Sequence, residues 1–333
     1  MTRGIIAIAS GIITLLFINS CSKNTASPNS LAPATPPPTE NVVYGTAKDW
    51  QGNEVSLDMN IFLPSNMQAG TKYPLVVYMH GGGFLLGDKK DGTNECKILA
   101  DSGFVAVSIN YRLGWNSGGA QDCKADTASL NTAMYRGVQD VNAALRYLVA
   151  HANDYNIDAN WIFLSGASAG AVLANISSYL TDAYAAARYP AVAEQLGSLF
   201  SGGNNLNNTY TIRGICSMWG ATEDSNLINS TKAIPTIFFH GSNDNVVPPN
   251  FGTYSSCSNY PMLYGSECLY RRLTANNTPA VLHILPGLGH GIPNGSNYTD
   301  EFLMGNTACF FHSLIHKTAP QTGIYTGQRN NCR

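Results

Sequence analysis

The chain has 333 residues, which is enough for one large domain or two small ones, and its 44% of hydrophobic residues can build a full core. Charged residues make up only 12%, roughly half of their usual share in globular proteins, and the net charge of −2 gives no electrostatic reason to bind nucleic acid or an anionic membrane. A surface of low charge, rich in Asn, Ser, Thr, Tyr and Gly, is more typical of an exported protein than of a cytosolic one.

Residues 1–21 have the pattern of a signal peptide. Arg3 precedes an apolar run over residues 4–18, which is too short to be read as a membrane-spanning helix. The sequence before Cys21 resembles a bacterial lipobox, in which the cysteine is lipidated and becomes the mature N-terminus, although Asn19 fits that pattern poorly. A plain signal peptide with a chance cysteine remains the alternative. We expect a protein of the periplasm or outer membrane, otherwise secreted, that contacts the membrane only through a lipid on Cys21.

Two further segments follow. Residues 22–41 are rich in Pro, Ser and Thr, cannot bury a core and are interpreted as a flexible tether. Residues 42–333 contain no internal repeat and no second block of composition, so we predict that they form one domain.

In that domain, strand-like and helix-like segments alternate along the chain. The predicted strands are Val42–Ala47, Val55–Leu63, Leu75–His80, Val105–Asn110, Trp161–Ser165, Gly214–Trp219, Thr236–His240 and Val281–Leu285. The predicted helices are Thr93–Asp101, Thr132–Asn153, Ala169–Thr181, a stretch within Phe251–Leu273, and Thr299–His316. The first two strands alternate polar and apolar residues, which suits an antiparallel edge, whereas the middle strands are continuously apolar. The pattern predicts an α/β fold with a mostly parallel sheet of about eight strands, helices on both faces, and its chemistry at the carboxyl ends of the strands.

A nucleophile motif follows the fifth predicted strand. Gly166-Ala167-Ser168-Ala169-Gly170 is G-x-S-x-G between a strand and a helix. The glycines allow a sharp turn with close backbone packing, and the turn lifts the Ser168 hydroxyl clear of the sheet. The helix that begins at Ala169 points backbone N–H groups at developing negative charge. An accidental serine in a glycine-rich connection is the alternative reading.

A second glycine motif, His80-Gly81-Gly82-Gly83, ends the third predicted strand. Its backbone N–H groups can approach a substrate oxygen without interference from side chains. We predict that the amides of Gly81, Gly82 and Ala169 form an oxyanion hole, in which the loss of one donor typically costs about 3–4 kcal/mol of transition-state stabilisation. A flexible glycine loop is the alternative interpretation of this motif alone.

The best candidate for a general base among the seven histidines is His290, because its loop directly follows the last predicted strand. His151 is predicted on the surface, His283 in the core, and His240 as a possible neighbour of the catalytic groups. His312 and His316 lie four residues apart on one helix face, but no third metal ligand accompanies them, so we predict no metal site.

The acid that orients the base is predicted between the serine and the histidine in chain order. Asp244 follows the strand Thr236–His240, and its carboxylate would fix the imidazole tautomer and stabilise the imidazolium. Glu223 and Asp224, after the preceding strand, are the rival candidates.

Three aromatic residues are candidates for substrate binding, because each follows or ends a strand on the side where Ser168 is expected. Phe84, Trp115 and Trp219 could stack on an aryl acyl group or a sugar ring. The alternative is that Trp115 anchors a loop and that Trp219 fills the core.

Removing Cys21 from the eight cysteines leaves seven, an odd number, so bridges plus one spare thiol are expected in an oxidising compartment. Cys216 lies in an apolar run and is predicted to be the buried free thiol. The pairs considered are Cys96 with Cys123, Cys257 with Cys268, and Cys309 with Cys332, although connectivity does not follow from sequence.

Together, His80–Phe84, Asn110–Gly114, Gly166–Gly170, Asp244 and His290 resemble the carboxylesterase and hormone-sensitive-lipase-like branch of the α/β-hydrolases, over roughly residues 42–318. The resemblance implies an ester hydrolase that works through an acyl-serine intermediate and uses no metal or organic cofactor. The sequence departs from the family at Ala171, where a second glycine is frequent. It also leaves little room for a cap, although Tyr184–Thr211 could supply a modest lid.

Two other functions remain open, a serine exopeptidase of the same fold and a binding module that has lost catalysis. The exopeptidases usually carry a long N-terminal propeller, and the binding modules lose the serine or histidine, which this chain keeps. A site with little cap favours esters on bulky or extended molecules, such as acetyl or feruloyl groups on plant polysaccharide, with soluble short-chain esters as the next expectation. The partner is therefore predicted to be a small or polysaccharide-linked ester, and no oligomeric state is predicted.

Overall fold

A central sheet and a small separate sheet make up the β structure of the computed structural model, which describes residue 1 and residues 36–118, 122–293, 295–318 and 322–330. The strands in chain order are β1 (Thr39–Lys48), β2 (Glu54–Phe62), β3 (Tyr73–Met79), β4 (Val105–Ile109), β5 (Ile157–Ala167), β6 (Ile212–Met218), β7 (Ala221–Thr222), β8 (Thr236–Gly241), β9 (Phe251–Thr253), β10 (Met262–Gly265), β11 (Ala280–Leu285) and β12 (Gly323–Thr326). Strands β7, β10 and β9 form the small sheet.

The remaining nine strands form the central sheet in the order β1-β2-β4-β3-β5-β6-β8-β11-β12. Strand β1 pairs antiparallel with β2, and β2 pairs antiparallel with β4. From β4 to β12 every pairing is parallel. The predicted antiparallel edge and parallel centre are confirmed, because half-exposed strands alternate in polarity and strands covered on both faces do not.

The ninth strand of the central sheet was missed. Strand β12 has only four residues, and they alternate between half-buried and exposed positions. Such a short segment in a polar tail carries too few apolar residues to stand out in the sequence. Strand β11 supplies its parallel partner, in register from Val281 with Gly323.

The described part of the chain has seven α-helices: α1 (Thr93–Asp101), α2 (Thr127–Ala150), α3 (Ala169–Tyr179), α4 (Asp182–Arg188), α5 (Pro190–Leu196), α6 (Ser266–Ala275) and α7 (Asp300–Ile315). Helix α2 begins at Thr127 and not at Thr132, because the Asp126 side chain accepts hydrogen bonds from the amides of Ala128 and Ser129 and caps an earlier first turn. None of the described helices is both long enough and apolar enough to span a membrane.

Two hydrophobic cores cover the two faces of the central sheet. Alternate residues of β3 divide between them: Leu75, Val77 and Met79 pack in the core that includes α2 and α3, whereas Val76 and Tyr78 pack in the core that includes α1 and α7. This alternation follows from the two-residue period of a strand. It confirms the predicted arrangement of helices on both faces.

The disulfide pairings considered from sequence are wrong for two of the three pairs. Cys123 is bonded to Cys257, while Cys96 and Cys268 are free. Cys96 is fully buried in the core beneath α1, so it does not reach the loop of Cys123. Cys216 is free and buried, as predicted.

The Cys123–Cys257 bond joins two segments far apart in sequence, and neighbouring hydrogen bonds support it. The Ala125 amide donates to the Tyr260 hydroxyl at 2.9 Å, and the Asn259 side chain donates to the Cys123 carbonyl at 2.9 Å. A bridge of this kind contributes about 2–4 kcal/mol, mainly by restricting the unfolded chain. It indicates an oxidising compartment, such as the periplasm or the extracellular space.

Two other sequence predictions concern residues at the chain ends. Cys309 takes part in a disulfide, but Cys332, which was considered as its partner, lies outside the described residues. Residues 2–21 of the predicted signal peptide, which include Cys21, and residues 22–35 of the predicted tether also lie outside them. The first strand begins at Thr39, slightly before the predicted domain boundary.

Candidate active site

Ser168 lies at a strained turn between β5 and α3. Its backbone has φ 54° and ψ −119°, a conformation that a residue other than glycine rarely adopts without support. The support comes from close backbone packing, since a Cβ on Gly170 would lie 2.0 Å from the carbonyl oxygen of Met79 and a Cβ on Gly166 would lie 2.4 Å from Gly170. The two glycines are therefore required for the reason that the sequence indicated.

The glycine loop after β3 lies beside this turn. A Cβ on Gly81 would come 3.4 Å from the Cβ of Ser168, and Gly82, at φ 108°, lines the same cavity as Ser168 and Ala169. The structure thus brings the three predicted oxyanion residues around the serine.

The segment after β4 holds the glycine loop in place. The Gly114 amide donates to the Phe84 carbonyl at 2.7 Å, and the Trp115 indole N–H donates to the Gly83 carbonyl at 2.9 Å. The Tyr111 hydroxyl donates to the His80 carbonyl at 2.8 Å, and the Tyr111 ring stacks on His80. These contacts explain why the Asn110–Gly114 motif accompanies the glycine motif in one sequence.

A buried ion pair anchors that segment to α2. The Arg112 guanidinium approaches the Asp140 carboxylate to 2.7 Å, and the Arg112 amide donates to the same carboxylate at 2.7 Å. Burial raises the pKa of Asp140, and the Arg112 charge and hydrogen bonds oppose that shift. Removing either partner would leave a buried charge without compensation, so this pair makes the position of the glycine loop depend on α2.

His290 connects the serine to the acid. Its Nε2 lies 2.6 Å from the Ser168 Oγ and accepts the hydroxyl hydrogen, while its Nδ1 donates to the Asp244 Oδ2 at 2.8 Å. The Asp244 side chain is fully buried and His290 is 21% exposed, so the base faces the cavity and the acid does not. The structure brings together all three residues of the predicted triad.

Several donors hold the Asp244 carboxylate in its ionised form. Its Oδ1 accepts from the amides of Val246 and Val247, both at 2.9 Å. Burial by itself raises the pKa of Asp244, but hydrogen bonds from His240, His290 and the backbone hold that pKa well below its usual range. The acid therefore remains charged and able to orient the imidazole.

His240 is the neighbour of the triad that the sequence located but did not explain. Its Nε2 lies 2.9 Å from the Val247 carbonyl and 3.3 Å from Asp244 Oδ2, and its Nδ1 lies 2.7 Å from the Ser266 Oγ. Because a carbonyl only accepts, Nε2 carries a hydrogen and donates towards both oxygens. Nothing in the sequence pointed to Ser266, because its position beside His240 depends on the packing of α6 against β8.

The two rival acids hydrogen-bond to tyrosine hydroxyls. Glu223 accepts from the Tyr189 hydroxyl at 2.7 Å, and Asp224 accepts from the Tyr184 hydroxyl at 3.2 Å. Neither contacts His290, so the geometry favours Asp244 as the acid. Tyr184 and Tyr189 belong to the segment that the sequence proposed as a modest lid, where the structure has α4 and α5.

The other histidines have structural partners. His151 is half-exposed and pairs with Asp154, His283 is buried, and His312 lies 2.8 Å from the Ser102 carbonyl. Within the described ranges, no group of three or more His, Cys, Asp or Glu side chains is arranged to hold a metal ion.

A cavity of about 440 Å³ opens at Ser168 and His290. This volume lies within the usual range for small-molecule sites, which is about 300–1,000 Å³. Its wall is mainly apolar, and it includes two of the three predicted aromatic residues, Phe84 and Trp115. The third, Trp219, does not line the cavity, because it packs with Phe239 in the core that includes α1 and α7.

Much of the cavity wall comes from residues that the sequence did not single out. They are supplied by α2, by the loop after β8, and by the segment that ends at β10, and they include Leu130, Met134, Val246, Tyr254, Pro261 and Leu263. These residues carry no motif. Only the folding of distant segments over the strand ends brings them to one wall.

Comparison with known proteins identifies relatives among esterases. The sequence model of the BD-FAE family matches residues 59–231. The chain is 30% identical to mouse carboxylesterase 3B over 147 residues, which are 44% of this chain and 24% of that protein. It is 34% identical to the probable carboxylesterase 2 of Arabidopsis thaliana over 131 residues, which are 38% of this chain and 37% of that protein.

Solved structures show the same fold. Esterase 2 of Thermogutta terrifontis, phosphorylated by paraoxon, superimposes with a TM-score of 0.58 at 19% identity, covering 86% of this chain and 98% of that one. A truncated carbohydrate esterase from gut microbiota superimposes with a TM-score of 0.57 at 18% identity, covering 85% and 98%. The predicted α/β-hydrolase fold is therefore confirmed.

Proposed function

The chain belongs to the BD-FAE family, and from this premise we propose that it is a serine carboxylic-ester hydrolase with Ser168 as nucleophile, His290 as general base and Asp244 as the orienting acid. The observation that carries the proposal is the continuous chain of contacts from Ser168 Oγ through the imidazole to Asp244 Oδ2, with distances of 2.6 and 2.8 Å. Nucleophile, base and orienting group within hydrogen-bond reach are the requirement for an activated serine.

The reaction follows from this geometry. Ser168 Oγ attacks the ester carbonyl carbon while its proton moves to His290 Nε2, and the carbonyl oxygen becomes an oxyanion that accepts from the amides of Gly81, Gly82 and Ala169. When the tetrahedral intermediate collapses, the C–O bond to the alcohol breaks and His290 returns the proton to the leaving oxygen. A water molecule then attacks the acyl-serine by the same route, which releases the carboxylic acid and restores the serine.

The cavity supports a substrate with an apolar acyl or aryl part. Phe84 and Trp115 line it together with aliphatic residues, and aromatic faces in such a wall can stack on aryl or sugar rings. Acetyl or feruloyl esters of polysaccharide are the substrates that we propose, and short-chain esters are the second candidate. The similarity of fold to a carbohydrate esterase from gut microbiota is in keeping with the first class.

The test combines covalent labelling with kinetics. An organophosphonate should label wild-type protein on the peptide that contains Ser168, and the protein should hydrolyse an aryl acetate. Ser168→Ala should lose both, and His290→Ala should lose hydrolysis by a factor on the order of 10⁶. Ser177→Ala, on the same helix α3 as the elbow, is the matched control and should keep both activities.

The same assay separates the other candidate functions. Cleavage of a peptide amide in preference to the aryl acetate would point to an exopeptidase. Binding without labelling or turnover would point to a module without catalysis. Full activity in Ser168→Ala would overturn the mechanism.

We also propose that the protein is exported as a lipoprotein anchored through Cys21. The disulfide between Cys123 and Cys257 supports export to an oxidising compartment. In a bacterial host that processes lipoproteins, the full chain should incorporate an alkyne fatty acid and sediment with membranes. Cys21→Ala should do neither, and equal labelling of both proteins would contradict the anchor.

A further inference from the structure

A second, smaller cavity adjoins the one that contains Ser168. Its volume is about 30 Å³. Since one water molecule needs roughly 10–15 Å³ by this measure, the small cavity accommodates one small polar group and not a ring. Four residues line both cavities: Met134, Val172, Glu223 and Leu263.

Unusually for a space beside an apolar site, the wall of this small cavity contains polar atoms that have no partner. Thr222 is 1% exposed, and within the described part of the chain nothing bonds to its Oγ1. Asn131 of α2 also lines the small cavity, and its buried Oδ1 is likewise without a described partner. A buried polar atom left unpaired costs about 1–3 kcal/mol, so both atoms favour a ligand that can hydrogen-bond to them.

The charge and hydrogen-bond pattern of the wall shows what kind of group would satisfy these atoms. The hydroxyls of Tyr189 and Tyr184 already donate to the carboxylates of Glu223 and Asp224. Burial and the Asp224 carboxylate raise the pKa of Tyr184 to about 12, so its phenol stays protonated and keeps that bond. Both phenol hydrogens are therefore already donated, and the polar atoms of the wall that can still bond to a ligand are mainly acceptors.

Glu223 adds negative charge to the wall that the two cavities share. Its side chain is 10% exposed, and the one cation described near it, Arg188, lies 3.7 Å away on a side chain that is 55% exposed. An exposed pair of this geometry is worth little. The carboxylate therefore acts on the interior as a hydrogen-bond acceptor that repels anions.

We propose that the small cavity is a subsite for a hydroxyl group at the far end of the substrate. This hydroxyl donates its hydrogen to Asn131 Oδ1 and accepts from the Thr222 hydroxyl, and the Glu223 carboxylate rejects a carboxylate at the same position. This assignment rests on the proposed esterase function, because the substrate must reach the subsite from Ser168. It makes Thr222 and Glu223 specificity-determining residues for the ester that is bound.

The experiment uses two series of esters that differ only in their terminal group. In one series, the acyl chain of an aryl ester ends in a hydroxyl, a methyl or a carboxylate, over a range of chain lengths. In the other, the same three groups end the alcohol part of an acetate ester. The quantity measured is the ratio of kcat/KM between partners of equal length, for the mature protein with its disulfides intact.

In wild type, the hydroxyl ester should exceed the methyl ester in at least one series, and the carboxylate ester should be the poorest. Thr222→Val keeps the shape of the side chain and removes only the hydroxyl, so it should lower the hydroxyl-to-methyl ratio by about tenfold while leaving thermal stability equal or higher. Glu223→Gln should raise kcat/KM for the carboxylate ester. Glu54→Gln, an identical charge change at the exposed first residue of β2, should leave every ratio unchanged.

Different results would overturn the subsite and the esterase function. If esters are hydrolysed but no length in either series prefers the hydroxyl, or if Thr222→Val and Glu223→Gln leave the ratios as in wild type, the subsite is overturned and the esterase stands. An equal gain on the carboxylate ester in Glu54→Gln would also overturn it, since the effect would then come from overall charge. If no ester is hydrolysed and Ser168 is not labelled, the proposed function falls, and the subsite falls with it.

Discussion

The two sides of the triad are held in place by different kinds of interaction. On the serine side, backbone packs against backbone, and a Cβ on Gly170 would lie 2.0 Å from a carbonyl oxygen of β3. On the acid side, side chains and amides hydrogen-bond to one buried carboxylate, with Val246, Val247, His240 and His290 around Asp244. The serine side requires glycines because a side chain would overlap the backbone, whereas the acid side requires hydrogen-bonding groups around the carboxylate.

This difference predicts different responses to mutation. A steric arrangement fails when an atom is added, because the backbone cannot move away without disturbing the sheet. A hydrogen-bonded arrangement fails when a partner is removed, because a buried polar group is then left unpaired. Mutations on the serine side should therefore affect stability and activity together, whereas mutations on the acid side should affect catalysis most.

Among the substitutions that test this comparison, the largest effect is expected from Asp244→Asn. The amide would keep the volume of the side chain but lose the charge that stabilises the imidazolium, so kcat on an aryl acetate should fall by a factor on the order of 10⁴. The matched control is Asp154→Asn, because Asp154 lies 2.8 Å from His151 in a His–Asp pair of the same length on the surface. Equal losses in both variants, or none in either, would show that the buried acid has no special role.

Gly170→Ala tests the serine side. We expect a loss of roughly 3 kcal/mol or more in the free energy of unfolding, since the new methyl group would overlap backbone atoms of Met79 and His80. Gly305→Ala in α7 is the control, because a Cβ there meets nothing within 4 Å and alanine should stabilise the helix by about 0.5–1 kcal/mol. Urea unfolding measures both, and a Gly170→Ala protein as stable as wild type would contradict the steric account.

A smaller effect is expected from His240→Gln. Glutamine cannot contact Val247, Asp244 and Ser266 together as the imidazole does, and one lost hydrogen bond to a charged group is worth about 1.5–3 kcal/mol. If the loss appears as misplacement of Asp244, kcat should fall roughly tenfold to a hundredfold while KM changes little. A lower melting temperature with unchanged kcat would mean that His240 only packs the core.

The smallest effect, and the one of opposite sign, is expected at Glu95, a half-buried carboxyl with fewer hydrogen-bond donors than Asp244. Burial raises the pKa of Glu95 to about 7, and the nearby Asp300 charge adds to this, while a backbone hydrogen bond and one from the Tyr78 hydroxyl at 3.2 Å oppose it.

The sign of the pH effect follows from this raised pKa. The folded protein holds a proton on Glu95 that the unfolded chain releases near its normal pKa, so stability is lost as the pH rises towards about 7. Glu95→Gln should therefore stabilise the protein at pH 8 by about 1–3 kcal/mol and have little effect near pH 4.5. Urea unfolding at the two pH values checks this, and an equal change at both would contradict it.

The elements with strong local signals were predictable from the sequence. The buried strands have continuous apolar runs, and α1 was predicted at its observed bounds, Thr93–Asp101. The elements that were missed carry weak signals, such as β12 in a polar tail and the short strands β9 and β10. Their pairing is decided by a neighbouring strand, which a local pattern does not contain.

The sequence by itself determined the α/β fold and indicated Ser168, Asp244 and His290 as the candidate triad, because glycines at a sharp turn and a histidine directly after a predicted strand are local patterns. Only the tertiary structure decided which cysteines pair, that Trp219 packs in the core, that Ser266 lies beside His240, and that Thr222 and Asn131 line one small cavity with Glu223. Each of these is a contact between segments far apart along the chain. Such contacts depend on how helices and loops pack over the sheet, and neither composition nor periodicity records that packing.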